Sequence, residues 1–193
     1  MAQSAPILVA EGLIKRFGGT TALGGVSFDL RPGEVHALCG ENGAGKSTLI
    51  KVLSGVHPHG SYEGRILVDG REARFASTAD AEANGIGVIY QELALVSEMT
   101  VAENIALGRE PRRGLLVDHL AMNRQARDLL GRFGIAIDPE TEVGHLGVGQ
   151  QQLVEIAKAL SKRTRVLIFD EPTAALAETE VQLLLGIIRE LRQ

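Results

Sequence analysis

The sequence predicts an α/β domain that opens with antiparallel strands, passes through a phosphate-binding loop, and carries a helical subdomain inserted before its last strand and helix. Three observations predict this class. The glycine-rich stretch GENGAGKST, Gly40 to Thr48, separates an apolar run from a helix-like one. A second apolar run, Arg165 to Phe169, ends in Asp170-Glu171. Between them, Val101 to Leu160 is mostly of helical pattern. The 193 residues suit a single domain with a sizeable core.

The elements follow in chain order. Ile7 to Ile14 and Ala22 to Leu30 read as strands about a Gly18-Gly19 turn. Glu34 to Cys39 reads as a short buried strand, and Lys46 to Leu53 as a helix stopped by Gly55. Arg65 to Val68 and Glu72 to Phe75, joined by Asp69-Gly70, read as a hairpin, because Asp-Gly suits a tight turn needing positive φ. Ile86 to Tyr90 is a short apolar strand. Asn104–Leu107, Met122–Phe133 and Gln150–Leu160 are the clearest helical pieces, and Gly108 to Gly114 reads as a surface loop. After the strand Arg165–Phe169, Glu178 to Leu191 is a helix with apolar positions at Val181, Leu184, Leu185 and Ile188.

Composition narrows the partners. Net charge is -4 with the signs mixed, which argues against a general nucleic-acid surface and a basic membrane-binding face. Cys39 is the single cysteine, so no internal disulfide forms, and it reads as a small buried strand residue. No apolar run reaches the roughly 18 residues of a membrane span, and the start lacks the pattern of a secretion signal. A reducing, cytoplasmic setting is expected.

Gly40 to Thr48 fits G-x-x-x-x-G-K-[ST], placed between a strand and a helix as a phosphate-binding loop requires. Gly40, Glu41, Asn42, Gly43, Ala44 and Gly45 form the loop, whose glycines let backbone N–H groups wrap an anion. Lys46 is placed for the β- and γ-phosphates, Ser47 for Mg²⁺ through its hydroxyl, and Thr48 completes the pattern. The second apolar run delivers Asp170 to the carboxyl end of a strand, the edge where open α/β sheets bind ligands. Asp170 suits the Mg²⁺ environment, and Glu171 suits a general base for water. A last peculiarity is the helix opening LGVGQQQ, Leu146 to Gln152: glycines and glutamines stand where Ser, Thr, Asp or Asn would be the usual cap.

These residues, in this order, resemble the ATP-binding cassette (ABC) ATPases over essentially the whole chain. Leu146, Gly147, Val148, Gly149 and Gln150 align with the family's signature, usually L-S-G-G-Q. The resemblance implies that two cassettes pair head to tail, the signature of one facing the γ-phosphate of ATP held by the other. A bare helix N-terminus suits that anion. Gln91 aligns with the glutamine that contacts Mg²⁺ and water and senses the membrane subunit. Phe17 aligns with the aromatic that stacks on adenine, with core packing as its alternative. Ala174 to Ala177 falls where the D-loop lies. Finer phrasing is similar to the monosaccharide-importer group, and His57-Pro58-His59-Gly60-Ser61-Tyr62 leans towards its xylose members. His57 and His59 have no third metal ligand nearby in sequence and read as loop residues.

The resemblance implies one incomplete cassette, with residues 1–92 and 163–193 as nucleotide-binding core and 93–162 as helical subdomain. It implies ATP and Mg²⁺ as cofactors, permease subunits and a second cassette as partners, a periplasmic sugar-binding protein indirectly, and no nucleic acid. It places the protein at the cytoplasmic face of the membrane. Departures leave alternatives open. Gly147 replaces the signature serine, Ala177 stands where the D-loop often has Asp, and the C-terminal strands and switch histidine are expected beyond Gln193. A gap is therefore expected in the parallel sheet between the strands ending at Cys39 and Phe169, with negligible turnover by these residues alone. A nucleotide-binding fragment without turnover and a non-transport ABC ATPase remain alternatives.

Overall fold

A computed structural model describes residues 5–173 and 176–192. It forms two compact units, the first from the described residues of Met1–Val88, Thr164–Ile168 and Arg192–Gln193, the second from those of Ile89–Arg163 and Phe169–Leu191.

The first unit is built on an antiparallel four-stranded sheet. Strands β1 (Leu8–Phe17), β2 (Thr20–Leu30), β3 (Glu63–Val68) and β4 (Arg71–Ala73) lie in the order β2-β1-β3-β4. Alternation buries Leu8 and Ala10 of β1 with Ile66 and Val68 of β3, and a register shift between Ala10 and Leu13 brings Leu13 into the same core. Asp69 and Gly70 both adopt positive φ, 51° and 74°, in the two-residue turn between β3 and β4. Helix α1 (Lys46–Leu53) buries Leu49, Val52 and Leu53 in the same core. A short helix, α2 (Thr78–Ala83), follows. Sequence periodicity missed it, although Ser77 and Asp80 carry its signal. The Ser77 hydroxyl accepts from the Asp80 N–H, and the Asp80 carboxylate accepts from the Ser77 N–H.

Strands β5 (Ile86–Ile89) and β8 (Val166–Phe169) pair. The Val166 N–H donates to the Gly85 carbonyl at 3.0 Å and the Asp170 N–H to the Ile89 carbonyl at 2.9 Å. Both strands therefore ascend together, the parallel arrangement. Of the expected buried strand only Val166 is buried; Leu167, Ile168 and Phe169 are half-covered, and Arg165 is exposed.

The expected strand from Glu34 to Cys39 is not formed. Val35 is 60% and Leu38 47% exposed, and Cys39 lies exposed rather than buried. A strand exists by pairing its backbone with a neighbour. Among the described residues no strand pairs with this segment, although Phe28 of β2 packs against His36 at 5.8 Å between ring centroids.

The second unit is helical: α3 (Val101–Ala106), α4 (His119–Arg132), α5 (Val148–Leu160) and α6 (Glu178–Leu191). Val101, Ile105, Met122, Leu130, Leu153, Ile156, Leu184 and Ile187 are buried. In α6 the buried stripe runs through Leu184 and Ile187 instead of Leu185, which is 38% exposed. A small hairpin, β6 (Arg112–Arg113) and β7 (Leu116–Val117), lies at the end of the stretch read as loop. Among the described residues no helix is long and apolar enough to cross a membrane.

Candidate functional site

The residues singled out from the sequence fall in both units. The first holds Phe17 and the loop from Gly40 to Thr48. The second holds Gln91, Asp170, Glu171 and the stretch from Leu146 to Gln150.

In the first unit, Gly45 forms the N-cap of α1 in the left-handed conformation, φ 93°, with no side-chain cap. A Cβ there would lie 2.4 Å from the Ala22 carbonyl oxygen, so only glycine fits. Gly43 is also left-handed, φ 85°, and the Ala44 N–H donates to the Glu41 carbonyl at 3.1 Å to close the turn. The first intrahelical bond runs from the Leu49 N–H to the Gly45 carbonyl at 2.9 Å. The amides of Lys46, Ser47 and Thr48 therefore have no intrahelical acceptor. Lys46 lies back along the loop. Its ammonium donates to the Gly40 carbonyl at 2.7 Å and the Glu41 carbonyl at 3.1 Å, folding over the loop. Free amides, a helix dipole and a fixed ammonium fit a phosphate group. Phe17, at the end of β1, is 47% exposed, so it is a ledge rather than a core residue.

In the second unit, Gln91 leaves the end of β5 just as Asp170 and Glu171 leave β8. The Asp170 N–H bond to Ile89 holds the two exits side by side. Glu171 is exposed and adopts φ 50°, a left-handed backbone that costs a residue with a Cβ free energy. Of the D-loop stretch, Ala174 and Ala175 lie outside the described residues.

The three glutamines at the start of α5 have separate positions. The Gln150 side-chain oxygen accepts from the Gly147 N–H at 3.3 Å, capping the helix from within. The Gln151 amide donates to the Val143 carbonyl at 3.2 Å and the Leu146 carbonyl at 3.0 Å, bracing the approach. Gln152 is buried, 4% exposed. The first intrahelical bond, from the Gln151 N–H to the Gly147 carbonyl, leaves the preceding amides without intrahelical partners. The glycines differ too. A Cβ at Gly147 would meet nothing within 4 Å, whereas one at Gly149 would lie 2.0 Å from a carboxylate oxygen of Glu180. Val148, between them, is 58% exposed and has room for its side chain.

Sequence reasoning missed the residues that hold the segment after Gln91. Asn104 of α3 is fully buried. Its Oδ1 accepts from the Val96 N–H at 2.8 Å, and its Nδ2 donates to the Val96 carbonyl at 2.9 Å. Lys158 of α5 donates to the Ala94 carbonyl at 2.6 Å. A buried asparagine in a helix signals such a bridge, but its partners are not readable from sequence.

Known proteins resemble this chain in sequence and in fold. A crystal structure of the ADP conformation of an ATP-binding cassette of an ABC transporter superposes with TM-score 0.82 at 30% identity, covering 98% of this chain and 78% of that one. A nucleotide-free ATP-binding cassette from an ABC transporter gives TM-score 0.81 at 28% identity, covering 97% and 78%. The xylose import ATP-binding protein of Geobacillus kaustophilus is 54% identical over 186 residues, 96% of this chain and 37% of that protein. The ribose import ATP-binding protein of Rubrobacter xylanophilus is 58% identical over 189 residues, 97% of this chain and 37% of that protein. The chain thus spans about 37% of the length of these curated relatives. The model of the ABC transporter family matches residues 23–174, from β2 through the phosphate loop and signature to the residues after β8, and this chain belongs to that family.

Proposed function

We propose that this chain is the ATP-binding and ATP-hydrolysing part of a monosaccharide importer, with xylose as the first sugar to test. The observation that carries the reading is the glycine-capped start of α1 with Lys46 folded over Gly40 and Glu41, a preformed phosphate cradle. Relatives more than half identical that are named as xylose and ribose import ATP-binding proteins support the transport role.

The proposed roles follow from each residue's chemistry. The amides of Gly43 and of Gly45 to Thr48 bind phosphate oxygens, and Lys46 turns from the loop carbonyls to the phosphates. Phe17 offers its exposed ring to the base. Magnesium, when bound, neutralises phosphate charge, and Ser47, Gln91 and Asp170 are its proposed ligands. Glu171 accepts a proton from the attacking water. The stretch Leu146, Gly147, Val148, Gly149 and Gln150 faces the nucleotide of a second cassette, offering it the Val148, Gly149 and Gln150 amides, which have no intrahelical acceptor. Residues 1–92 and 163–193 are the proposed nucleotide-binding core, and 93–162 the helical subdomain. Permease subunits at the cytoplasmic face of the membrane are the proposed docking partners, fed from outside by a periplasmic sugar-binding protein.

The test is ATP hydrolysis by the complete protein reconstituted with its permease in vesicles, with and without binding protein and sugar. Stimulation by xylose or ribose is expected. Binding of ATP without turnover under every condition would instead favour a nucleotide-binding role, the reading that Gly147 in place of the signature serine suggests.

A further inference from the structure

The loop after α1 holds two histidines whose spacing suggests a pair. The structure separates them. His59 meets Tyr62 edge-on, centroids 6.1 Å apart. His57 meets Phe17, centroids 5.4 Å apart and planes inclined by 59°.

Phe17 is held from a second side as well. Leu13, Lys15 and Phe17 alternate along β1 on one face, which emerges from the core: they are 0%, 8% and 47% exposed. The buried Lys15 ammonium donates to the Ser61 carbonyl at 2.6 Å and stands 5.1 Å from the centroid of the Phe17 ring. That is within cation–π range. His57 is anchored through its backbone, its N–H donating to the Lys51 carbonyl at 2.9 Å near the end of α1. The helix whose first turn forms the phosphate cradle thus anchors, past its last turn, the residue packed on Phe17. Burial, and then the charges of Lys15 and Lys51, hold the imidazole below the usual histidine range. A neutral ring adds no third positive charge to this group.

We propose that His57 is a positioning residue for nucleotide binding: its imidazole braces the half-exposed Phe17 ring as the platform on which the nucleobase stacks. This rests on the reading of the chain as an ATP-binding cassette. An unbraced aromatic at a strand end samples several rotamers, and binding must then fix one. The brace removes that cost in advance. It acts on the base and not on the phosphates.

The experiment separates those two ends of the ligand. Calorimetry on the complete protein would compare Mg·ATP with inorganic tripolyphosphate, which has no base. His57→Ala should weaken ATP binding about three- to tenfold, the scale of an aromatic pair, and leave tripolyphosphate binding unchanged. His57→Phe should restore ATP affinity by supplying another ring. Phe17→Ala should weaken ATP at least as much, and adding His57→Ala to it should cost little more, because the brace works through that ring. Equal losses for ATP and tripolyphosphate in His57→Ala would overturn the proposal, since the loop and not the platform would have been damaged. So would unchanged ATP binding, or failure of His57→Phe to rescue. If the parent bound neither ligand, the ATP reading itself would fall, an outcome distinct from the others.

Discussion

The backbone amide of Asp170 donates to the carbonyl of Ile89 across 2.9 Å. This bond fixes where the chain leaves two parallel strands, with Gln91 two residues beyond one partner and Glu171 one residue beyond the other. Glu171 then turns through a left-handed backbone, φ 50°. Such strain persists only where the surroundings enforce it, and it is commonest at working sites.

Glu171→Gln, made in the complete protein, should therefore abolish ATP turnover at this site while leaving ATP binding near the parent value. The amide keeps the shape but cannot accept the proton, a role worth about 10²–10⁴-fold. Single-turnover hydrolysis beside equilibrium binding checks both halves. Near-parental hydrolysis would place the base on another residue.

Lys46→Ala should weaken ATP binding at least tenfold. The ammonium makes charge-assisted bonds worth about 1.5–3 kcal/mol each. Its present acceptors, the Gly40 and Glu41 carbonyls, are exposed and can turn to water, so thermal stability should change little. Calorimetry and a melting curve on the same sample separate these effects.

Gly147 and Gly149 should answer differently to added side chains. Gly147→Ser enters open space, so it should leave stability unchanged, and by the head-to-tail reading it should strengthen ATP-dependent pairing of cassettes measured by light scattering. Gly149→Ala places a methyl group against the Glu180 carboxylate, which already accepts from the Ala177 N–H at 2.9 Å. It should cost about 1 kcal/mol by displacing that bond, and in a Glu180→Ala background, where the bond is already gone, it should cost little more. Urea denaturation of the single and double variants is the measurement.

Asn104→Ala should destabilise the chain by about 2–4 kcal/mol, because it strips hydrogen-bond partners from both polar groups of Val96 at a fully buried site. The Nδ2 bond to the Thr100 carbonyl at 3.1 Å is lost as well. Denaturant midpoints should show the drop at low and high salt alike, since no ion pair is involved.

Glu155 should make stability depend on pH. Burial raises its pKa above the ordinary 4.5, against the opposing pull of Lys158, the Ala94 N–H and Lys162. The folded state then binds more protons than the unfolded one from about pH 4.5 up to the raised value. Its contribution is fully present below that window and is lost as pH rises through it. Glu155→Gln cannot ionise. The stability of the variant relative to the parent should therefore grow with pH across the window. A constant difference between them from pH 4.5 to 8 would remove this assignment.

The sequence by itself determined the local elements and the order of the chemistry. The Gly40–Thr48 pattern, the Asp69-Gly70 turn and the helix over Glu178–Leu191 were readable because each depends on a few adjacent residues, through positive φ, a bare helix start or a regular apolar period. Tertiary structure decided whatever depends on a distant neighbour. Glu34–Cys39 carries the apolar pattern of a strand, yet a strand needs a second backbone to pair with, and among the described residues none pairs with it. Phe17 could have been core or ledge; the place where β1 runs out of the core made it a ledge. Gly147, Val148 and Gly149 look interchangeable as a motif, but only Gly149 faces a side chain from another helix, Glu180 of α6, so of the two glycines only there must a neighbour move to admit a side chain. Asn104 and Val96, and His57 and Phe17, likewise became partners only in three dimensions, because hydrogen bonds and ring contacts act over a few ångströms of space and have no fixed separation along the chain.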